Sequence, residues 1–257
     1  GQFVNSSGTK IDSNIIINDS DIGSRNSPTI ASDSSGKLFI LWIDYRNNFG
    51  QLYAQELMRD LIVGTNFKIT EDEINSNKNY PTLALSNSGK FITARREYFE
   101  SSEYRIYSRL FNEDKIPITS SERVDNDSFS SLESDPSIEV FNDETFIVGW
   151  TDRRDRNYYT FNQKYNGDGT PVGTNKDASF GISQYNPQII KILDENYLII
   201  SREYYRDVNN QNEIVAQKYF KTGEKLGDKF VVSDNILKGN CEYPNGASNS
   251  KGESVIA

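Results

Sequence analysis

Pro28 opens the stretch PTIASDSSGKLFILWIDYR, residues 28–46, and the chain repeats its grammar three more times. After Pro81 comes TLALSNSGKFITARREYF, after Pro136 SIEVFNDETFIVGWTDRR, and after Pro187 QIIKILDENYLIISREYY. Each reads as a short strand, a turn and a longer strand, because β-branched and aromatic residues are bounded by Asp, Asn, Ser and Gly. A third strand follows as QLYAQEL, RIYSRLF, TFNQKYN or EIVAQKYF, and then a hairpin such as YNGDGTPVGTN leads into a fourth. Gly64, Gly173 and Gly227 hold one equivalent place in that hairpin, where only glycine takes a positive φ or a bulge at little cost.

Five of the seven prolines, Pro28, Pro81, Pro136, Pro187 and Pro244, lie 53, 55, 51 and 57 residues apart. Four antiparallel strands at that period are the grammar of a β-propeller blade, in which four-stranded sheets pack face to face around a channel. No stretch carries apolar residues at helical spacing over twelve positions, which sets helical repeats aside. Gln2 aligns with Gln55 and Gln217 of the third strand, and Ala257 aligns with Leu41 of the second. The expected fold is therefore an all-β propeller, a single domain over residues 1–257, with five four-stranded blades starting near 28, 81, 136, 187 and 244. The last blade is shared between the termini, residues 1–20 completing it; a five-repeat piece of a seven- or eight-bladed ring is the alternative.

Composition narrows the function. The formal net charge is −9, which argues against a surface built to neutralise nucleic-acid phosphates. No apolar run approaches a membrane span and no signal peptide opens this stretch. There is no histidine, which removes Ser-His-Asp and Cys-His triads and His-ligated metals, and Cys241 has no second cysteine to pair with. Acidic stretches such as NDSDIG, EDEIN and VDNDS lack the spacing of an EF-hand loop, so no metal or cofactor is expected. Asn5, Asn18 and Asn126 open glycosylation sequons.

The run G-x-F-[IV]-x-x-W-x-D-x-R, then [IL]-Y-A-Q, then G-x-x-[LV]-G-x-x-F-x-V is carried by Gly36, Phe39, Trp42, Asp44, Arg46, Tyr53, Ala54, Gln55, Gly64 and Phe67, and again by Gln217, Gly223, Gly227 and Phe230. It resembles a repeat found in tandem in very large secreted and surface-attached bacterial proteins, and the resemblance covers essentially the whole chain. It implies a propeller module of an adhesin, scaffold or other exported protein, placed outside the cell or on its surface. Arg95 and Ser201 stand where the pattern has Trp42, which weighs against one identical site per blade. The chain is also distantly similar to sialidase-type propellers, without their S-x-D-x-G-x-x-T-W box.

Aligning the repeats stacks Asp44, Glu97, Asp152 and Glu203 in one column at the end of the second strand. The next columns are Tyr45, Tyr98, Arg153 and Tyr204, then Arg46, Phe99, Arg154 and Tyr205. One reading makes each acid a cap or pin that fixes blade register. The sharper reading is a binding face, since aromatic rings stack on pyranose rings and planar Asp and Arg groups reach hydroxyls in pairs. On that reading the expected site is Asp44, Tyr45, Arg46, Glu97, Tyr98, Asp152, Arg153, Arg154, Glu203, Tyr204 and Tyr205, binding a glycan or a protein. Among the first-strand segments TIAS, TLAL, SIEV and QIIK only Glu139 is acidic, and one acid is not a glycosidase site. The expectation is thus a non-enzymatic binding or assembly module, with no catalytic residues. The alternatives are a glycoside hydrolase or lyase using channel carboxylates, and a structural subunit of a surface filament. Homo-assembly would run through the strand edges of the incomplete fifth blade.

Overall fold

A computed structural model describes residues 1–58, 61–71, 76–99, 103–126, 132–154, 157–181, 183–205, 211–233, 241–249 and 251–257. Apart from a 3₁₀ turn at Leu193–Glu195, the regular elements are strands. The first is a hairpin, β1 (Phe3–Val4) and β2 (Lys10–Ile11). Blade one is β3 (Arg25–Ser32), β4 (Lys37–Asn47), β5 (Phe49–Met58) and β6 (Leu61–Lys68). Blade two is β7 (Asn77–Leu85), β8 (Phe91–Tyr98), β9 (Tyr104–Phe111) and β10 (Glu122–Arg123). Blade three is β11 (Ser134–Val140), β12 (Phe146–Arg154), β13 (Asn157–Tyr165) and β14 (Pro171–Asp177). Blade four is β15 (Gln184–Lys191), β16 (Tyr197–Tyr205), β17 (Gln211–Tyr219) and β18 (Phe230–Val231), and β19 (Gly246–Ser248) with β20 (Ser254–Ile256) ends the chain. Each blade is an antiparallel meander in chain order, the connection that short hairpins allow. Among the described residues no helix is long and apolar enough to cross a membrane.

The blades stack on apolar faces. Ile92, Ala94, Ile106 and Val124 of blade two pack against Ile138, Val148 and Trp150 of blade three. Phe39, Leu41 and Leu52 of blade one meet Leu83, Phe91 and Phe111 of blade two. The high aromatic content is spent partly on a repeated cross-strand stack between the second and third strands. Phe91 faces Phe111, Phe146 faces Tyr165 and Tyr197 faces Tyr219, with ring centroids 4.6, 4.8 and 5.2 Å apart and nearly parallel planes.

Neighbouring blades are tied by a polar device that the Y-A-Q and Gly-x-Asn motifs encode. Gln55 Nε2 donates to the carbonyls of Glu56 and Val63, closing its own hairpin, and Gln55 Oε1 accepts from Asn66 Nδ2 at 2.6 Å. Asn66 in turn donates to the Ile17 carbonyl and accepts from Asp19 N, both in the segment that precedes the blade. Gln163 and Asn175 repeat the arrangement on Val124 and Asn126 of blade two. In blade two Arg109 stands in for the pair, donating to Ile69 O of blade one and Thr119 O of its own.

The same device locates the ends of the chain. Gln2 Nε2 donates to Phe3 O and Ile11 O, as Gln55 does in its own hairpin, so β1 and β2 are third and fourth strands of a blade. Residues 17–19 sit against blade one as 124–126 sit against blade three. At the other end, Ile256 packs with Ile190, Leu198 and Ile200, placing β19 and β20 beside blade four. These two hairpins are separate two-stranded sheets, not one four-stranded blade.

Candidate functional site at the pre-proline mouth

The first strands of blades one to four carry a bulge at their proline. The residue before it has a positive φ in all five repeats: Ser27 (+51°), Tyr80 (+49°), Asp135 (+53°), Asn186 (+51°) and Tyr243 (+55°). The strand registers shift at those points, between Asn26 and Thr29, Asn79 and Thr82, Ser134 and Ser137, and Tyr185 and Gln188. A residue before proline is pushed away from α conformations, and the left-handed region is costly for anything but glycine. Strain repeated five times is held in place by the paired strands around it, and such strain gathers at functional sites.

The bulges converge on a cavity of about 310 Å³ lined by all five blade positions, through Thr29, Tyr80, Asp135, Asn186, Tyr243 and the residues beside them. The pre-proline side chains thus place two tyrosines, a carboxylate and an amide at one mouth of the axis. Asp135 Oδ2 accepts from Ser134 Oγ at 2.7 Å and has Thr151 Oγ1 at 3.5 Å. Next to Tyr243, Glu242 is held by Arg202 Nη1 at 3.2 Å and by Asn212 Nδ2 at 3.3 Å. Arginines and tyrosines stack around these acids. The Arg96 guanidinium lies 4.4 Å from the Tyr80 ring centroid and 4.5 Å from that of Tyr104. From blade three to blade four runs a continuous stack of Arg153 on Tyr158 (5.4 Å), Tyr158 on Tyr185 (4.2 Å) and Tyr185 on Arg202 (4.4 Å).

The far end of the axis opens into a larger cavity of about 660 Å³, reached by Ser34, Asn87, Glu139, Asn142, Glu195 and Asn249. Burial pushes the Glu139 carboxyl up to about 7 against the pull of Lys191. Among the described residues no aromatic ring lines that cavity for a sugar to stack on.

The expected binding columns do lie on the face of the pre-proline mouth, because Asp44 at the end of β4 pairs with Arg25 at the start of β3. Their acids, however, are inside the blades: Asp44, Glu97, Asp152 and Glu203 are each fully buried. Asp44 accepts from Trp42 Nε1 (3.2 Å), Arg46 N (2.9 Å), Arg46 Nε (3.0 Å) and Arg46 Nη2 (2.8 Å). Burial alone would raise its pKa, but the Arg46 and Trp42 bonds outweigh it and hold the carboxyl below the usual range. Glu97 accepts from Arg95 Nε and Ser76 Oγ, each at 2.7 Å, and Glu203 from Lys229 Nζ at 2.8 Å. Arg95 thus keeps, in blade two, the donor that Trp42 supplies in blade one.

In the adjoining columns, Tyr45, Tyr98, Arg153 and Tyr204 are half-buried, Tyr98 packing on Tyr104 at 4.9 Å. Arg46 is committed to Asp44 and Asp19 and lies over Tyr53 at 4.0 Å. The side chains of Arg154 and Tyr205 lie outside the described residues. The sequence reading missed Tyr80, Asp135, Asn186 and Tyr243, and the signal was the position before each proline. It also missed Arg96 and Arg202, which share one strand position in blades two and four, opposite Asn79 and Tyr185.

No family model and no curated protein matches the sequence. Solved structures match the fold. An α-L-arabinofuranosidase from Fusarium graminearum is 11% identical with a TM-score of 0.64, the match covering 90% of this chain and 74% of that one. An α-L-arabinanase from Penicillium chrysogenum, solved with arabinobiose, is 9% identical with a TM-score of 0.65, over 90% of this chain and 74% of that one. A protein of unknown function from Dyadobacter fermentans is 9% identical with a TM-score of 0.67, over 97% and 76%. The chain is a β-propeller. The first two neighbours are an arabinofuranosidase and an arabinanase, and this corrects the expectation of a non-enzyme without catalytic residues. The sequence reading looks for acids in the residues after each proline, whereas Asp135 stands before its proline and lines the mouth.

Proposed function

We propose that this propeller is a glycoside hydrolase working at the pre-proline mouth. The observation that carries the reading is the cavity to which all five blade positions contribute, with Asp135, Tyr80 and Tyr243 in its lining. Tyrosine faces suit the apolar faces of sugar rings, and the amide of Asn186 suits their hydroxyls. Hydrolysis requires two carboxyl groups flanking the scissile bond. Asp135, which accepts from the Ser134 hydroxyl, is assigned as one of the two, and Glu242, beside Tyr243, as the other. In the inverting form, a water oxygen bonds to the anomeric carbon as the glycosidic C–O bond breaks. The carboxylate takes the water's proton, and the carboxylic acid protonates the departing oxygen.

The names of the fold neighbours make arabinose-containing glycans the first substrates to test, and the resemblance to sialidase-type propellers makes sialosides the second. The likeness of the repeat to that of exported bacterial proteins supports action outside the cell or on its surface. Turnover of linear arabinan, aryl α-L-arabinofuranosides and sialyl conjugates checks the reading. Asp135→Asn should lower kcat by about 10²–10⁴-fold with an unchanged melting temperature. No product from any glycan in the panel, or full activity in Asp135→Asn, would overturn it.

A further inference from the structure

We propose that the face opposite the mouth docks on a zwitterionic lipid surface, through apolar residues at the third-to-fourth strand hairpins. In an antiparallel meander those hairpins lie at the end of the blade away from the pre-proline residues, beside the turn between the first and second strands. Each of the five carries a large apolar side chain that the fold leaves uncovered: Val4 in the β1–β2 hairpin, Leu61 at the start of β6, Ile116 after β9, Val172 in β14 and Phe220 after β17. Their exposure runs from 41% at Val172 to 68% at Leu61, and Ile11, Ile62 and Ile118 add apolar surface beside three of them. One exposed isoleucine is ordinary, but the same feature in every hairpin at one end of the molecule marks an interaction surface.

The arrangement decides what covers this surface. A protein–protein interface has an apolar centre and a polar rim. This face has the reverse, because the hairpins belong to the outer strands of the blades and surround the cavity lined by Ser34, Asn87, Glu139, Asn142 and Asn249. Separate apolar tips around a polar centre form no contiguous patch for a folded partner, whereas a fluid bilayer receives each tip on its own. The charges on the face select the lipid. Lysines pair with its acids, Lys37 and Lys115 with Glu56, Lys90 with Glu144 and Lys221 with Asp143. Asp114, Asp168 and Glu224 stand in the hairpin turns themselves, in a chain of net charge −9, so an anionic leaflet is repelled and a headgroup bearing both charges is not. Docked in this way, the protein turns the pre-proline mouth, at the other end of the axis, away from the lipid.

Flotation of the full chain with phosphatidylcholine vesicles, alone and with phosphatidylserine added, tests the proposal. The chain should float with phosphatidylcholine and bind no more tightly when phosphatidylserine is present. The double variant Leu61→Ser, Ile116→Ser should weaken binding about tenfold or more, since each change removes apolar area that the lipid buries. Both side chains are exposed in the folded chain, so the thermal midpoint should stay unchanged. Ile22→Ser, at an equally exposed isoleucine that precedes β3 at the mouth end, should bind as the wild type does. No flotation with phosphatidylcholine, an equal loss in Ile22→Ser, or binding that needs phosphatidylserine and disappears in salt would overturn the inference. So would a dimer, seen by sedimentation without lipid and abolished by the double variant, because the face would then belong to a second copy. The hydrolase reading is untouched by any of these results.

Discussion

Asp44 shows how a repeated acid becomes internal structure. It ends β4 with no exposed surface, and four hydrogen bonds from Trp42 and Arg46 leave it no valence for a ligand. Asp44→Asn should cost about 1.5–3 kcal/mol, read as a lower denaturant midpoint, because it converts charge-assisted bonds to neutral ones and turns an N–H group toward donors. Glu139 behaves in the opposite sense. Its carboxyl is pushed up to about 7 by burial, with Lys191 opposing and the Glu195 charge adding to the rise. A raised carboxyl contributes its stability below the unfolded pKa and loses it as the pH climbs through the folded value, so the loss falls between about pH 4.5 and 7. Glu139→Gln should therefore gain on the wild type by roughly 1–3 kcal/mol between pH 4.5 and pH 8, checked by thermal midpoints at both. A constant difference would contradict the assignment. At this scale the sequence was partly legible: the acid column could be aligned, but which way a side chain points depends on strand pleat and neighbours, and the acids turned inward.

Blades are joined by the glutamine and asparagine of the third and fourth strands. Asn175 donates to Gln163 Oε1 and to Val124 O of the preceding blade, and accepts from Asn126 N. Asn175→Ala should cost about 1–3 kcal/mol, since it orphans the Asn126 amide and the Val124 carbonyl, and a cycle with Gln163→Ala should show coupling of about 0.5 kcal/mol or more. Additive losses measured in urea would mean that the two side chains act separately. The elements themselves were readable from the proline spacing and the alternation of apolar residues, and Gly64, Gly173 and Gly227 do adopt positive φ, at +70°, +70° and +73°. The bulge was not readable, because a positive φ before proline runs against local preference and exists only where flanking strands enforce it. That is why the prolines measure the repeat while the residues before them, which line the mouth, do not stand out in the sequence.

At the scale of the molecule, five blade positions surround one axis and give it two unlike ends. One carries a carboxylate, two tyrosines and stacked arginines, and the other a wider polar cavity with no aromatic ring among the described residues. The ring shape followed from the repeat arithmetic. The unlike ends did not, because they arise from single departures within the repeats: Asp135 where the others have Ser27, Tyr80, Asn186 and Tyr243, and Glu139 as the acid in the first-strand segments that follow the prolines. The central claim is that glycan chemistry takes place at the pre-proline mouth, and locating a bound sugar tests it most directly. A crystal structure of Asp135→Asn soaked with the oligosaccharide that the wild type cleaves should show a sugar ring against Tyr80 or Tyr243, with its scissile bond beside residue 135. Sugar bound only in the Glu139 cavity, or on the outer edges of the blades, would contradict the account.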